Sequence, residues 1–270
     1  NMILFIIFIL YFYIMVYEFF KYQATGNDFI IIDDRDNKFD ILDSSLIKSL
    51  CERKFGIGAD GLILLRKEEN FDFRMLYFNN DGKESTMCGN GGRCIIHFAN
   101  LLDIISDNYS FLAIDGSHKG KIYEDIISLK MRDIDMISKY DDYFVVDSGS
   151  PHCVKFIDNL SDIDVNNEGQ LIRNNKFFKK EGINVNFVDP ESLSIRTFER
   201  GVEAETLSCG TGTVASAIIL HFCKDIIEES VDISTKGGEL SVSFQEFNGS
   251  YKNIWLSGPA SLVFSGEFES

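Results

Sequence analysis

The sequence predicts an α+β protein made of two related halves that face each other across a cleft, and three observations carry that expectation. Short apolar runs cut by Gly, Asn and Asp follow one another along most of the chain, which is the pattern of strands bounded by turns. Two longer stretches, Gly91–Leu102 and Gly212–Cys223, read as helices, and each follows a glycine-rich turn opened by a cysteine. The surroundings of those turns repeat at about half the length of the core, as two domains of similar build would require.

The chain opens on an almost purely apolar and aromatic run, Met2 to Val16. This run lacks the basic flank and small-residue cleavage site of a secretory signal, and at about 15 residues it falls short of the roughly 20 that span a bilayer. Met15 begins a better opening, Met-Val-Tyr-Glu-Phe-Phe-Lys, which reads as a first strand without a leader. The expectation is a true start at Met15, with a membrane anchor as the alternative. From Glu18 onward strands are expected at Phe29–Ile32, Gly61–Leu65, Phe71–Phe78, Ile126–Met131, Tyr143–Val146, Gly182–Val188, Leu193–Phe198 and Leu240–Phe244. A third helix is expected over Ser44–Lys54.

The repeat is the most informative feature. In the first half, Phe78-Asn79-Asn80-Asp81-Gly82 leads through Glu84 to Met87-Cys88-Gly89-Asn90-Gly91 and a helix. In the second, Phe198-Glu199-Arg200-Gly201 leads through Glu205 to Ser208-Cys209-Gly210-Thr211-Gly212 and a helix. Upstream, Gly26-Asn27-Asp28-Phe29 matches Gly149-Ser150-Pro151-His152. Cys88 and Cys209 therefore hold equivalent positions and should face each other. The competing reading is a duplication in which both are packing residues, since free cysteine is often a small hydrophobe. The glycine flanks speak against it, because a reactive thiol gains from exposed backbone N–H groups and a helix N-terminus.

Composition narrows the function. With 270 residues, 45% of them hydrophobic and 25% charged, the chain has material for two medium domains and is not a disordered protein. A net charge of -16 argues against a nucleic-acid partner, which would need clustered Lys and Arg. The six cysteines show no CxxC pair and no dense framework, so they are expected to be reduced thiols in a cytosol. Cys88, Cys94 and His97 do not have zinc-site spacing, and no metal is expected.

A helix N-terminus favours thiolate over thiol, so both cysteines are expected to have depressed pKa values and to serve as bases. A hydrolase would use one of them with His152 and leave the other unexplained. Inversion of a carbon centre uses both: one thiolate removes an α-proton from one face and the opposite thiol returns a proton to the other. The N–H groups of Gly89, Asn90, Gly210 and Thr211 suit a carboxylate on which charge accumulates. No pyridoxal site and no dinucleotide fingerprint is evident, so no cofactor is expected. Arg200 suits a carboxylate and Glu199 an ammonium, while the competing reading of this pair is a solvated surface, as that of the asparagines is turn formation.

Several stretches, in this order and spacing, resemble the diaminopimelate epimerase family from about Phe19 to Phe268. They are Thr25-Gly26-Asn27-Asp28-Phe29, Gly56-Ile57-Gly58-Ala59-Asp60, Phe78 to Gly82 with Cys88-Gly89-Asn90-Gly91-Gly92-Arg93-Cys94, Pro151-His152-Cys153, Glu199-Arg200-Gly201, Cys209-Gly210-Thr211-Gly212 and Ser257-Gly258-Pro259-Ala260. The resemblance implies two pseudo-symmetric domains, each a curved antiparallel or mixed, barrel-like sheet wrapped around a central helix. It implies that the last strand returns to the first domain, which gives an extension over 1–16, one domain over 17–130 with 259–270, and another over 131–258. It also implies cofactor-independent interconversion of LL- and meso-2,6-diaminopimelate, in lysine and peptidoglycan precursor biosynthesis, by a homodimer. Carried over by position, Cys88 and Cys209 are the catalytic pair, and Gly89, Asn90, Gly210 and Thr211 cradle the reacting carboxylate. Asn27, Asn79, Asn184, Glu199 and Arg200 hold the rest of the substrate, while His152 and Glu199 tune the thiols.

Two positions depart from the family pattern: Ser150 stands where asparagine is usual, and Gly61 where many members have a glutamine that touches substrate. Both shorten a side chain, and water is expected to take over the contacts. The competing functions are a proline or hydroxyproline racemase, a two-cysteine dehydratase, a silent binding relative of the phenazine-biosynthesis type, and a membrane-tethered scaffold. Asn27, Asn79 and Arg200 favour a substrate with a polar far end, and retention of both cysteines disfavours a silent protein.

Overall fold

The computed structural model describes residues 15–224 and 228–270. The reading of the apolar run as a leader or anchor lies outside the described residues, apart from Met15 and Val16. Met15 exchanges two backbone hydrogen bonds with Ser270, at 3.0 and 2.9 Å.

The chain runs through one pattern of elements twice. The first pass is β1 (Val16–Ala24), β2 (Asn27–Asp33), α1 (Ser44–Cys51), β3 (Gly61–Arg66), β4 (Phe73–Asn79), β5 (Glu84–Ser85), α2 (Gly89–Leu101), β6 (Tyr109–Ala113), β7 (Gly116–Tyr123) and β8 (Ile126–Lys130). After β9 (Ile137–Tyr140), the second is β10 (Tyr143–Asp147), β11 (Pro151–Phe156), α3 (Val165–Arg173), β12 (Asn184–Asp189), β13 (Ser194–Glu199), β14 (Ala204–Thr206), α4 (Gly210–Lys224), β15 (Ser230–Thr235), β16 (Gly238–Phe247) and β17 (Ser250–Pro259). The last strand is β18 (Ser261–Glu269).

The pairings repeat with the elements. β1 and β2 are antiparallel and β2 and β3 parallel, as are β10 with β11 and β11 with β12. A parallel neighbour needs a crossover, which α1 and α3 supply. Phe78 lies opposite Glu84 and Phe198 opposite Glu205, so the glutamates four residues ahead of each cysteine sit in equivalent registers. β8 pairs antiparallel with β17, where the hydroxyls of Ser128 and Ser257 meet at 2.7 Å. The final strand, β18, returns to pair with β1.

This topology places one helix inside each curved run of strands. α2 is buried from Gly89 to Ile96 and α4 from Gly212 to Leu220, all round rather than on one stripe, as befits helices enclosed by sheet. Alternation along β2 sends Phe29 and Ile31 toward the core around α2, and Ile30 and Ile32 toward the smaller core under α1. Among the described residues no helix is long and apolar enough to cross a membrane.

The strands expected from sequence are present with shifted ends; β4 begins at Phe73 rather than 71 and β12 at Asn184 rather than 182. α1, capped by the Asp43 carboxylate on the Ser45 and Leu46 N–H groups, stops at Cys51, short of Lys54. There the chain folds back, with Gly56 N–H on Glu52 O and Gly58 N–H on Leu50 O, and a side chain at Gly56 would collide with the Ser49 carbonyl. α3 was not expected: its sequence is polar, and it buries only Val165 and Gly169.

Candidate active site between two helix ends

Cys88 and Cys209 cap the two enclosed helices. Cys88 is extended (φ -94°, ψ 134°) at the N-cap of α2, and its carbonyl takes the Gly92 N–H at 2.7 Å. The Cys209 carbonyl takes the Thr213 N–H at 2.8 Å in the same way. The first residues of the two helices touch, since a side-chain carbon at Gly89 would stand 3.5 Å from Gly210 Cα. Two positive helix ends, each headed by a thiol, thus converge on one place.

The thiols differ in access: Cys209 is 6% exposed, whereas Cys88 is half-buried. Both have pKa values pushed above the ordinary thiol value, against the expectation from the helix ends. Burial is the main cause in both, and the Glu199 carboxylate adds to it. The Asn90 and Gly91 N–H groups at Cys88, and the Thr211 hydroxyl and Gly212 N–H at Cys209, pull the other way and are outweighed.

On the first-half side, Asn27 has one orientation. Its amide nitrogen donates to Asp60 at 2.7 Å, which leaves its oxygen to accept from Asn90 at 3.3 Å and from the Cys88 thiol at 3.6 Å. Asp60 is held in turn by Arg53, which also grips Asp28 with two nitrogens. Behind Asn90 lies Arg93, fully buried and without a carboxylate partner among the described residues. Burial lowers its pKa to about 10, still high enough for it to carry its charge. Its nitrogens donate to Gly89 O, Asn90 Oδ1, Pro259 O and the Thr25 hydroxyl, which meets the Ser208 hydroxyl at 2.6 Å. Arg93 therefore ties the start of α2 to the residue before Cys209.

On the second-half side a hydrogen-bond chain has a definite sense. The Thr197 hydroxyl donates to Asn186 Oδ1 at 2.9 Å, so the Asn186 amide nitrogen faces His152 Nδ1, also at 2.9 Å. Nδ1 is then an acceptor, and the proton of the neutral ring sits on Nε2, 2.8 Å from the Thr211 hydroxyl. Thr211 in turn lies 3.5 Å from the Cys209 sulfur. Burial, reinforced by the charge of Arg200, pushes the His152 pKa down to about 3, so the ring is no proton acceptor near neutrality. Ser150 joins this group through its own hydroxyl, 3.0 Å from His152 Nε2, and receives the Asn184 amide at 3.1 Å.

Asn184 also accepts the Arg200 backbone N–H at 2.9 Å, while the Arg200 guanidinium donates to Glu181 O. Glu199 accepts from the Thr206 hydroxyl, and its pKa is raised by burial and by Asp60. Asn79 sits opposite Gly61 at the end of β4, and no hydrogen bond joins its side chain to the other candidates. Sequence reasoning passed over Asp60, Arg93, Asn186, Thr206 and Tyr77. Asp60 and Arg93 lie inside the quoted motifs, whereas Asn186 gives no local signal. Among the described residues no group of three or more His, Cys, Asp or Glu is placed to hold a metal.

The chain matches the sequence profile of the family described as diaminopimelate epimerase over residues 19–126 and 144–263. It is 50% identical over 251 residues to a diaminopimelate epimerase of Flavobacterium psychrophilum, covering 92% of this chain and 98% of the relative. It is 44% identical to one of Chlorobaculum tepidum, covering 90% and 98%. Among solved structures it resembles a Bacillus anthracis phenazine biosynthesis protein of the PhzF family (TM-score 0.72, 13% identity, 95% and 99% covered). It also resembles an Agrobacterium vitis hydroxyproline epimerase (TM-score 0.68, 13% identity, 94% and 92% covered). These two likenesses concern the fold alone.

Proposed function

The chain belongs to the diaminopimelate epimerase family, and we propose that Cys88 and Cys209 are the thiol pair through which it interconverts LL- and meso-2,6-diaminopimelate. The observation that carries this is the contact between Gly89 and Gly210, which brings two thiol-capped helix ends to one point. The substrate carboxylate lies against the N–H groups of Gly89, Asn90, Gly210 and Thr211, where two helix dipoles favour its charge. One thiolate takes the α-hydrogen as a proton, the electron pair spreads into the carboxylate, and the opposite thiol delivers a proton to the other face. Thiolate and thiol have then exchanged places, and nothing is oxidised or reduced.

Burial and the Glu199 carboxylate favour the thiol over the thiolate at both cysteines, so substrate must help bring about ionisation. The ammonium of the substrate does so, because a positive charge near the thiols offsets burial and the field of Glu199. The Thr211 hydroxyl, kept free to donate by the His152 proton it accepts, stabilises the Cys209 thiolate. Asn27, anchored by Asp60, presents its oxygen to a cation. Asn79, Asn184 and Arg200 serve the far end, and Glu199 meets an ammonium.

Residues 17–130 with 259–270 and residues 131–258 are proposed as the two domains, a division supported by the repeated pairings and the return of β18 to β1. A homodimer is proposed across β18, which pairs with β1 and exposes Leu262, Val263 and Phe264. The cytosol is the proposed location, since all six cysteines are free.

The test is NMR of LL-diaminopimelate with the purified protein in D2O under reductant. The meso isomer should form with deuterium at one α-carbon. Exchange on proline or hydroxyproline instead would keep the thiol chemistry and overturn the substrate.

A further inference from the structure

Gly61 leaves a gap that a side chain from the next strand fills. A carbon added at Gly61 would stand 2.6 Å from Tyr77 Cε2 and 3.3 Å from its hydroxyl. Phe29 and Asn79 both lie opposite Gly61 in the adjoining strands. The Tyr77 ring leans across the glycine and meets Phe29 edge-on, with centroids 5.9 Å apart. Alternation along β4 puts Tyr77 on the same face as Asn79, toward the start of α2.

Tyr77 is 9% exposed, yet its hydroxyl has no hydrogen-bond partner among the described residues. The oxygen itself is not sealed off, since the buried side-chain atoms left without a partner among the described residues are Arg74 Nε and Lys130 Nζ, so the hydroxyl faces open space. The acidic groups around it are Cys88, Asp60, Glu199 and Cys51, and they add to burial, the main cause, in raising its pKa. A hydroxyl in such surroundings is suited to a cation, with its lone pairs turned toward the incoming charge.

We propose that the Tyr77 hydroxyl is a substrate-binding group that accepts a hydrogen bond from an ammonium of the bound amino acid, in the space that Gly61 leaves open. The proposal rests on the epimerase reading above and adds a residue to it. It also replaces the expectation that water fills the gap at Gly61: the occupant is the phenol.

Tyr77→Phe keeps the ring and removes no protein hydrogen bond, so the variant should fold as the native protein does. With LL-diaminopimelate its KM should rise ~10-fold while kcat changes less than about twofold, the signature of a lost contact to a charged group in the ground state. In protein carrying 13C at tyrosine Cζ, the resonance missing from Tyr77→Phe should shift when the native protein is saturated with diaminopimelate. A native KM in the variant, together with a resonance that substrate does not move, overturns the Tyr77 proposal while native turnover upholds the epimerase. A native protein that neither epimerises diaminopimelate nor shows the shift overturns both.

Discussion

Gly89 and Gly210 lie against each other at the heads of α2 and α4, so close that a side-chain carbon on Gly210 would come within 3.4 Å of Gly89 Cα. The same carbon would press on Leu256 Cδ2 at 2.9 Å. Gly210→Ala must therefore shift the end of Leu256 and tightens the contact between the two helix ends. A stability loss of about 1–3 kcal/mol is expected from the overpacking. A fall of ~100-fold in kcat/KM is expected from the misplaced cradle and thiols. Denaturant titration and steady-state kinetics read the two separately, and full activity with reduced stability would show that the helix contact is only packing.

Asn186 decides which nitrogen of His152 carries the proton, although it touches neither thiol. Asn186→Asp replaces the donor at Nδ1 by an acceptor, draws the ring proton to Nδ1, and leaves Nε2 to compete for the Thr211 proton. The Cys153 carbonyl loses a partner at the same time, a cost of about 1–3 kcal/mol. 15N NMR should show the Nε2–H tautomer in the native protein and its loss in the variant, with kcat reduced. An unchanged kcat with the tautomer reversed would remove His152 from the tuning of Cys209.

His152 also sets a pH dependence of stability. Its pKa stands at about 3 in the fold against an ordinary 6.5, so the unfolded chain binds a proton that the folded chain refuses. The stability that comes from its neutral state is complete above about pH 6.5 and is lost as pH falls toward 3, at ~1.4 kcal/mol per unit. The buried thiols act at the other end. Burial holds Cys51 and Cys153 at about 12 against an ordinary 9.0, so their contribution is complete below 9 and fades as pH rises toward 12. Urea midpoints should form a plateau that falls on both sides, and the His152 ring signals should stay those of a neutral ring down to about pH 4. A ring that titrates near 6.5 would contradict its burial.

Much of this is legible in the sequence. Strands such as Phe29–Ile32 and Gly61–Leu65 are buried on both faces and so read as continuous apolar runs. Cys88 and Cys209 announced themselves because a helix that starts at a tight contact needs glycine there. What stayed hidden depends on residues distant in sequence. α3 is held by a few contacts, among them Gly169 against Phe198, that its polar sequence does not reveal. The upward shift of the thiols comes from burial and from Glu199, and neither is visible in a CGxG turn. Asn186 and Tyr77 acquire meaning only through His152 and Gly61, each reached across a strand.

The central claim is that two thiols act from opposite faces of one carbon. It is tested most directly by following LL-diaminopimelate in D2O by NMR with Cys88→Ala and Cys209→Ala, beside the native protein. Neither variant should form the meso isomer at a measurable fraction of the native rate, because a site with one thiol cannot both take and return a proton across the α-carbon. Native turnover by either variant would contradict the account.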